Sequence, residues 1–433
     1  MGITRSIGCC FIVAAFLTLS FSAYASPRIV DENTAVELAL RNDVGAAIQS
    51  LELAAKERKA GTKNNIFLPS FTGSAIGRES VSQAGDGLTA IPAAIVRLNS
   101  ALTLSAATLQ GGKTAELDAA ASRFQSKATI EKVEKETRKG FFKLLLLREQ
   151  TKVAESSVEI ALGSLDRTVE EYRNGLTSQR TRRQSEIAYE TEKLTLSRRR
   201  AEYDAARSAF SVRIGLRDED WVAGGDLEVL PIDLKTVSFG SDTLLTRSDV
   251  SLAFASAALQ ESKVEEARRS WLIPTLAMSA QIDVTKTGNA DLTPSGLFTL
   301  TFSSPNISAF LPFSSDSVSL EASRGTLQKL RLQADDTARA ASLEVESILR
   351  TLSVSFSAIT SLSASVELAR EVVLLTREAY DVGAASYQDL RTAEKDADSA
   401  RVALLAERYT YLAALIDLEY ATGKPLRSQK EPS

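Results

Sequence analysis

Apolar residues recur at sevenfold steps in two stretches of the chain. Val158, Leu165 and Tyr172 step by seven, and so do Val366, Val373 and Tyr380. Beyond a short polar break, Tyr189, Leu196, Tyr203 and Phe210 continue the first series, and Ala397, Leu404, Tyr411 and Leu418 continue the second. Sevenfold spacing keeps one seam turned toward a partner helix, so the pattern predicts two pairs of long helices joined by tight turns. An ordinary amphipathic bundle fits the seam alone. Proline placement adds to it, because there is none between Pro92 and Pro231 or between Pro312 and Pro425, and proline inside a helix costs ~3 kcal/mol. The first gap holds a helix expected from about Lys113 to Tyr172, which at 1.5 Å per residue reaches ~90 Å. A helix of that length belongs to a coiled or barrelled assembly. Its apolar run Phe141–Leu147 is too short to cross a bilayer and marks a place where something wraps around the helix.

Between the helical parts the period changes to two. Phe67–Ile76 and Ile95–Leu104 flank a loop with Gly85 and Gly87, and Leu272–Val284 and Leu297–Phe302 flank one with Gly288, Asn289, Pro294 and Gly296. Alternation is clear from Ala101 to Ser105 and from Leu297 to Phe302. Transmembrane strands need ~9–11 residues and have this weak signature; soluble hairpins share it. Four strands leave unpaired edges in lipid, so membrane strands here require several copies of the chain in one barrel. Asn306–Phe313, between Pro305 and Pro312, is also β-like and leaves the limits of the fourth strand open.

The chain is written twice. Tyr172, Gly175, Ser178, Glu186, Leu196, Tyr203 and Gly215 recur 208 positions later as Tyr380, Gly383, Ser386, Glu394, Leu404, Tyr411 and Gly423. Asn42-Asp43-Val44 is answered by Ser248-Asp249-Val250, and Leu68-Pro69-Ser70 by Ile273-Pro274-Thr275. A period near half the chain is too long for a solenoid and indicates a duplicated unit of helix, strand, loop, strand, long helix, turn, helix. The division expected is a leader at 1–25, a first repeat at 26–215, an equatorial linker at 216–240, a second repeat at 241–423 and a tail at 424–433.

The leader reading rests on Arg5, the apolar run Ile7–Phe21 and the small-x-small pattern Ala23-Tyr24-Ala25. The run is shorter than the ~20 residues that span a bilayer as a helix, so export is expected rather than anchoring. Cleavage leaves 50 basic against 55 acidic side chains and removes both cysteines, Cys9 and Cys10; there is no histidine. That composition argues against nucleic acid, disulfides, Cys- or His-based metal sites and nucleophile–histidine catalysis. No paired-acid arrangement stands out from helix surface charge. The reading is a non-enzyme without a cofactor or a metal.

Taken together, these features resemble the TolC family of outer-membrane efflux proteins over essentially the whole chain after the leader. The carriers are the tandem repeat, the proline-ended first helix (Thr34–Ala60, then Leu68-Pro69), the run Leu102-Thr103-Leu104-Ser105 followed by Gly111-Gly112-Lys113, and above all Tyr-x-x-Gly-x-x-Ser at 172–178 and 380–386. The resemblance implies a homotrimer in the outer membrane of a diderm bacterium. In it, three protomers give four strands each to a 12-stranded β-barrel, and their helices continue as a periplasmic α-barrel. It implies that Thr181–Gly215 and Leu244–Arg269 stack end to end beside the long helix. Arg217–Gly240, with Trp221, Asp218, Glu219 and Asp220, is expected in the belt around the middle.

The mechanism so implied is a passive exit duct for a tripartite efflux pump or a type I secretion system. Energy comes from an inner-membrane pump of RND or ABC type, reached through a periplasmic adaptor. The turns Gly175, Leu176, Thr177, Ser178 and Val382, Gly383, Ala384, Ala385, Ser386 are the expected adaptor contacts. The bland alternative makes them tight turns alone. The expected gate places Asp389, with Tyr380 and Thr392, against Arg180 or Arg182 of a neighbouring hairpin; Thr392 and Ala385 depart from the family's acidic and basic positions, so the acidic ring is thinner. The bland alternative makes Arg173, Arg180, Arg182 and Arg183 a solvated face. Two rival readings are a periplasmic adaptor, which normally has one hairpin between small β domains, and an envelope coiled-coil protein with soluble hairpins. The cargo is not legible.

Overall fold

The computed structural model describes residues 28–84, 87–218, 221–229, 247–287, 290–303 and 313–423. The expected leader, the tail, Glu219, Asp220, the linker beyond Val229 and Asn306–Pro312 lie outside the described residues. The chain runs β1 (Arg28–Val30), α1 (Glu32–Asn42), α2 (Val44–Gly61), a 3-10 turn, β2 (Ser70–Ala84), β3 (Gly87–Leu104), α3 (Ala106–Arg173) and α4 (Gln179–Ile214). It continues with β4 (Trp221–Ala223), α5 (Ser248–Ser270), β5 (Thr275–Thr287), β6 (Thr293–Ser303), α6 (Ser315–Asp381) and α7 (Tyr387–Thr422). The two long helices have 68 and 67 residues and the two returning helices 36 each. In these helices the duplication is kept to within one residue, and the long helices reach about 100 Å.

The sevenfold seams are where the helices meet. In α6 the buried positions Ala341, Ile348 and Ser355, and Val345, Leu352, Ile359 and Val366, form two interleaved sevenfold series. Leu196 and Phe210 of α4 and Ala397, Tyr411 and Leu418 of α7 are buried, with Tyr189, Tyr203 and Leu404 half-buried between them. On α3 the expected residues Val158 and Leu165 are only half-buried and Tyr172 is exposed. The buried stripe there runs instead through Ala154, Ser157, Ala161 and Thr168. These small side chains let α3 approach neighbours on more than one side.

Two expectations are corrected. The first helix breaks at Asp43, whose N–H continues α1 to Ala39 while its carboxylate caps α2 at Ala46 N, 2.7 Å away. Stacking also differs: the end of α4 meets the end of α1, at the α1–α2 joint, rather than α5. Asn42 Nδ2 donates to the carbonyls of Val212 (3.0 Å) and Arg213 (3.3 Å) at the end of α4. At the equivalent joint of the second repeat, Arg247, Ser248 and Asp249 share a polar recess with Asp417, Tyr420 and Ala421 of α7. Each repeat thus completes its own stack. The matched motifs Asn42-Asp43-Val44 and Ser248-Asp249-Val250 are those two joints, and Leu68-Pro69 and Ile273-Pro274 precede the first strand of each repeat.

The run Phe141–Leu147 is buried by the chain itself. Phe210 of α4, Trp221 and Ala223 of β4, Val30 of β1 and Ala35 and Ala39 of α1 close around it. Trp221 is 1% exposed, stacks 5.6 Å from Phe210, and donates its indole N–H to Ser211 Oγ at 2.8 Å. Trp221 thus packs the start of the segment after α4 against the middle of α3.

All four long strands form one antiparallel sheet in the order β2-β3-β5-β6. Its closure into a 12-stranded barrel is not a property of the single chain: β2 and β6 are the end strands.

Candidate functional site: paired helix turns below a two-faced sheet

The repeated Tyr-x-x-Gly-x-x-Ser motif is a helix stop followed by a helix start. Gly175 and Gly383 have φ of 73° and 76°, a region that costs a side chain energy but not glycine. Gly175 N–H donates to Tyr172 O (3.1 Å) and Leu176 N–H to Glu171 O (2.8 Å), which closes the last carbonyls of α3 in a Schellman arrangement. Gly383 to Tyr380 O (2.9 Å) and Ala384 to Ala379 O (2.8 Å) repeat it. Ser178 and Ser386 then cap α4 and α7 by accepting from Thr181 N and Asp389 N, each at 3.2 Å. Thr177 and Ala385 complete the small turns. Leu176 and Val382 stand at the two tips 79% and 81% exposed, apolar points with no core to serve within the protomer.

The charged residues expected at the gate have local partners. Asp389 Oδ2 accepts from Ser386 N (2.9 Å) and Ser386 Oγ (2.7 Å), a capping box. Hydrogen bonds from the Ser386 hydroxyl and backbone hold its carboxyl below the usual range. Arg182 lies over the Tyr172 ring at 5.6 Å, Arg183 pairs with Glu186 at 2.7 Å, and Thr392 Oγ1 donates to Gln388 O at 2.9 Å. Arg180 is exposed at the start of α4. Within the protomer, among the described residues, Asp389 forms no ion pair with Arg180 or Arg182.

The structure instead ties the repeats together through groups the motif did not single out. Tyr380 OH donates to Glu171 Oε2 at 3.0 Å. Burial first, and the Glu171 carboxylate second, push the Tyr380 hydroxyl up to about 12. Arg167 pairs with Asp381 beside it. Five and eight residues past Ser386, Arg391 pairs with Glu192 of α4 (2.9 Å) and Glu394 (3.0 Å), and Glu394 also takes Arg377 (3.1 Å). Burial opposes the charge on Arg391, but Glu394, Tyr387 and Glu192 hold its pKa above the ordinary value. Of the expected gate residues only Tyr380 belongs to this set. Tyr380 and Glu171 are 209 positions apart in sequence and Arg167 and Asp381 are 214 apart, and no local signal marks them.

At the other end, the sheet has two chemically different faces. One carries Phe71, Val96, Leu98, Leu102, Met278, Ile282, Phe298, Leu300 and Phe302, which alternate in register across all four strands. Phe71, Leu98, Phe298 and Phe302 are 78%, 59%, 68% and 69% exposed. The opposite face carries Asn99, Arg97, Thr103, Gln281, Asp283, Ser279, Thr299 and Thr301. The apolar band runs from Leu104 to Ala94, where Lys286 enters the same face opposite Ala94, followed by Glu79 opposite Pro92. Ten residues at ~3.3 Å, tilted by ~40°, give a height of ~25 Å.

A sequence search of curated proteins finds no match. Residues 240–424 match the profile of the outer membrane efflux protein family. Among solved structures, the Campylobacter jejuni CmeC outer membrane channel superposes with a TM-score of 0.79 at 17% identity, covering 92% of this chain and 87% of that one. The Vibrio cholerae outer membrane protein VceC gives 0.73 at 16%, covering 92% and 97%. The open state of the Neisseria gonorrhoeae MtrE channel gives 0.68 at 19%, covering 93% and 91%. The similarity thus extends over both repeats, although the sequence profile reaches only the second.

Proposed function

We propose that this chain, whose second half is an outer membrane efflux protein domain and whose fold is that of outer-membrane channels, is a passive exit duct in the outer membrane of a diderm bacterium. The observation that carries the reading is the two-faced sheet. An exposed apolar surface on this scale is unstable in water, and its height suits the apolar band of an outer-membrane barrel. A polar opposite face suits a water-filled lumen. Free edges β2 and β6 cannot stay unpaired in lipid, so copies must pair β6 of one protomer with β2 of the next. Three copies of four strands give the 12-stranded barrel.

The helical layer closes in the same sense. α3 packs against α4 and α7, and α7 packs against α6, which leaves α4 and α6 at the lateral flanks. Exposed Ile187, Leu194 and Val212 on α4, and Leu343, Val354, Leu368 and Leu374 on α6, await cover. The apolar stretch that makes α6 long and greasy enough to cross a membrane by composition is accounted for by this flank together with the buried seam. The turns at Leu176 and Val382 face the periplasm and contact an adaptor, which joins the duct to an inner-membrane pump of RND or ABC type. No step in this reading requires catalysis or a cofactor; the cargo is set by the pump.

The closed entrance is held by Tyr380–Glu171, Arg167–Asp381 and Arg391–Glu192, with Asp389 facing Arg180 or Arg182 of the next protomer as a weaker outer ring. Charge pairs at an exposed mouth are worth ~0–1 kcal/mol each and fade with salt. An envelope coiled coil would account for the helices but gives the apolar sheet face nothing to contact. Negative-stain microscopy of detergent-extracted protein decides between them. A threefold particle well over ~100 Å long, belted by detergent at one end, is expected. A monomer or dimer that stays in solution without detergent would sink the duct.

A further inference from the structure

Both hairpins of the sheet have their register set by their own turns, because β2 and β3 flank residues 85–86 and β5 and β6 flank residues 288–292. The central joint, β3 against β5, has no such device: its strands come from different repeats, and 170 residues separate Leu104 from Thr275. Sheet alternation forbids a slip of one residue, since that would turn the apolar face into the polar one. A slip of two is not forbidden by the same rule. It would set Leu98 against Val284 or Ala280 in place of Ile282, and Leu102 against Ala280 or Leu276 in place of Met278, apolar against apolar at both positions; only at the rim of the band does one of the two slips bring Val96 against Lys286.

One cross-strand pair at the joint distinguishes these registers by charge. Arg97 and Asp283 stand directly opposite each other. They make a two-pronged ion pair, Nε to Oδ1 at 2.9 Å and Nη2 to Oδ2 at 3.0 Å, and Gln281 Nε2 adds a bond to Oδ2 at 2.8 Å. The other pairs on that face are Ile95–Thr285, Asn99–Gln281, Ala101–Ser279 and Thr103–Ala277, none of them charged. A two-residue slip therefore sets Arg97 against Gln281 or Thr285 and leaves Asp283 against Asn99 or Ile95.

We propose that the Arg97–Asp283 pair is the register lock of the joint between the two repeats. The forked guanidinium fits a carboxylate in one geometry only, so it rewards one alignment where the apolar face rewards three. Contacts between α3 and α5 hold the helical end of the joint, with Thr114 Oγ1 3.0 Å from Ser262 Oγ and Arg269 bonded to Gln110 at 3.1 Å. The segment Trp271–Pro274 joins α5 to β5, with the N–H groups of Leu272 and Ile273 both bonded to Arg269 O, and carries no cross-strand pairing of its own. The lock stands on the sheet alone and does not depend on the duct reading.

The test uses thiol cross-linking, which has a clean background because no cysteine follows Cys10. Ala101→Cys with Ser279→Cys reports the native register. Ala101→Cys with Ala277→Cys, or with Gln281→Cys, reports the two slips. With a short bifunctional thiol reagent on the full-length membrane protein, only the first pair should link when Arg97 and Asp283 are intact. Adding Arg97→Gln should bring a slipped pair from background to a major product. The exchange Arg97→Asp with Asp283→Arg should return linking to the native pair, and it remains decisive if Arg97→Gln fails to assemble. Native-only linking in Arg97→Gln, or persistent slipped or lost linking in the exchange, would overturn the lock and leave register to the helices.

Discussion

Tyr380 donates its hydroxyl to Glu171 across 3.0 Å, and so fastens the end of one repeat's long helix to the end of the other's. The two residues flank equivalent turns, yet only the second repeat's tyrosine has this role; its counterpart Tyr172 lies under Arg182. A hydrogen bond to a charged acceptor contributes about 1.5 kcal/mol, roughly tenfold in an equilibrium. Tyr380→Phe should raise the open-to-closed ratio of reconstituted channels by about that factor per protomer, and Glu171→Gln by less, because the amide still accepts. Single-channel recording with unchanged leak in Tyr380→Phe would remove this tie from the gate.

The same bond predicts a response to alkali. The Tyr380 hydroxyl titrates at about 12 rather than its ordinary 10.0. A group raised in the folded state contributes stability below its unfolded pKa and loses it as pH rises through the folded one. Wild-type leak should therefore hold steady through neutral pH and climb between about pH 10 and 12. In Tyr380→Phe that climb should be missing.

Asp398 has the opposite character. Burial raises its pKa against the help of the Ser157 hydroxyl, which lies 2.5 Å away. A carboxyl raised in this way gains stability as pH falls, and its charge is a burden at neutral pH. Asp398→Asn should raise the melting temperature at pH 7, and the gain should shrink toward acid, where Asp398 is itself protonated. Calorimetry at several pH values would show it; a fall at pH 7 would mean that the charge is compensated.

At the equator, Arg138 reaches Glu32 at 2.5 Å and Glu419 at 2.7 Å, and Glu419 is almost fully enclosed. Removing one member of a buried ion group strands the others, at a cost of about 3–5 kcal/mol. Arg138→Ala should cost about that much, comparable with Trp221→Ala on cavity grounds. Arg138→Met with Glu32→Gln and Glu419→Gln should recover much of it. Denaturant or thermal unfolding of the detergent-solubilised protein measures both.

Much of this architecture was legible because its rules are periodic. Steps of seven placed the seams of α4, α6 and α7. Steps of two found the four strands but not their limits, since β2 and β3 run eight residues further and β6 takes in Pro294 and Gly296, expected as loop. The repeated Tyr-x-x-Gly-x-x-Ser is a stop and a start that local hydrogen bonding dictates. The seam on α3 was misplaced because its buried stripe is Ala, Ser and Thr, which a search for large apolar residues passes over. The stacking order was misjudged because end-to-end contact between helices depends on single polar groups such as Asn42. The ties between the repeats were legible only at Tyr380, which lies in the motif, whereas Glu171, Asp381 and Glu192 look like any charges on a helix until the fold brings them across.

The near-equal lengths of the two hairpins have a further consequence for anything that meets the proposed duct from below. In the proposed threefold ring, six teeth of equal reach alternate between two kinds. One kind carries Arg173, Arg180, Arg182 and Arg183; the other carries Asp381 and Asp389 beside bare alanines. A threefold partner could bind one kind and ignore the other, whereas a sixfold partner must tolerate both. Inserting a heptad into one hairpin alone would lift alternate teeth by about 10 Å and turn a level rim into a crown. Length parity between the repeats is thus a mechanical tolerance that both halves of the gene must keep together.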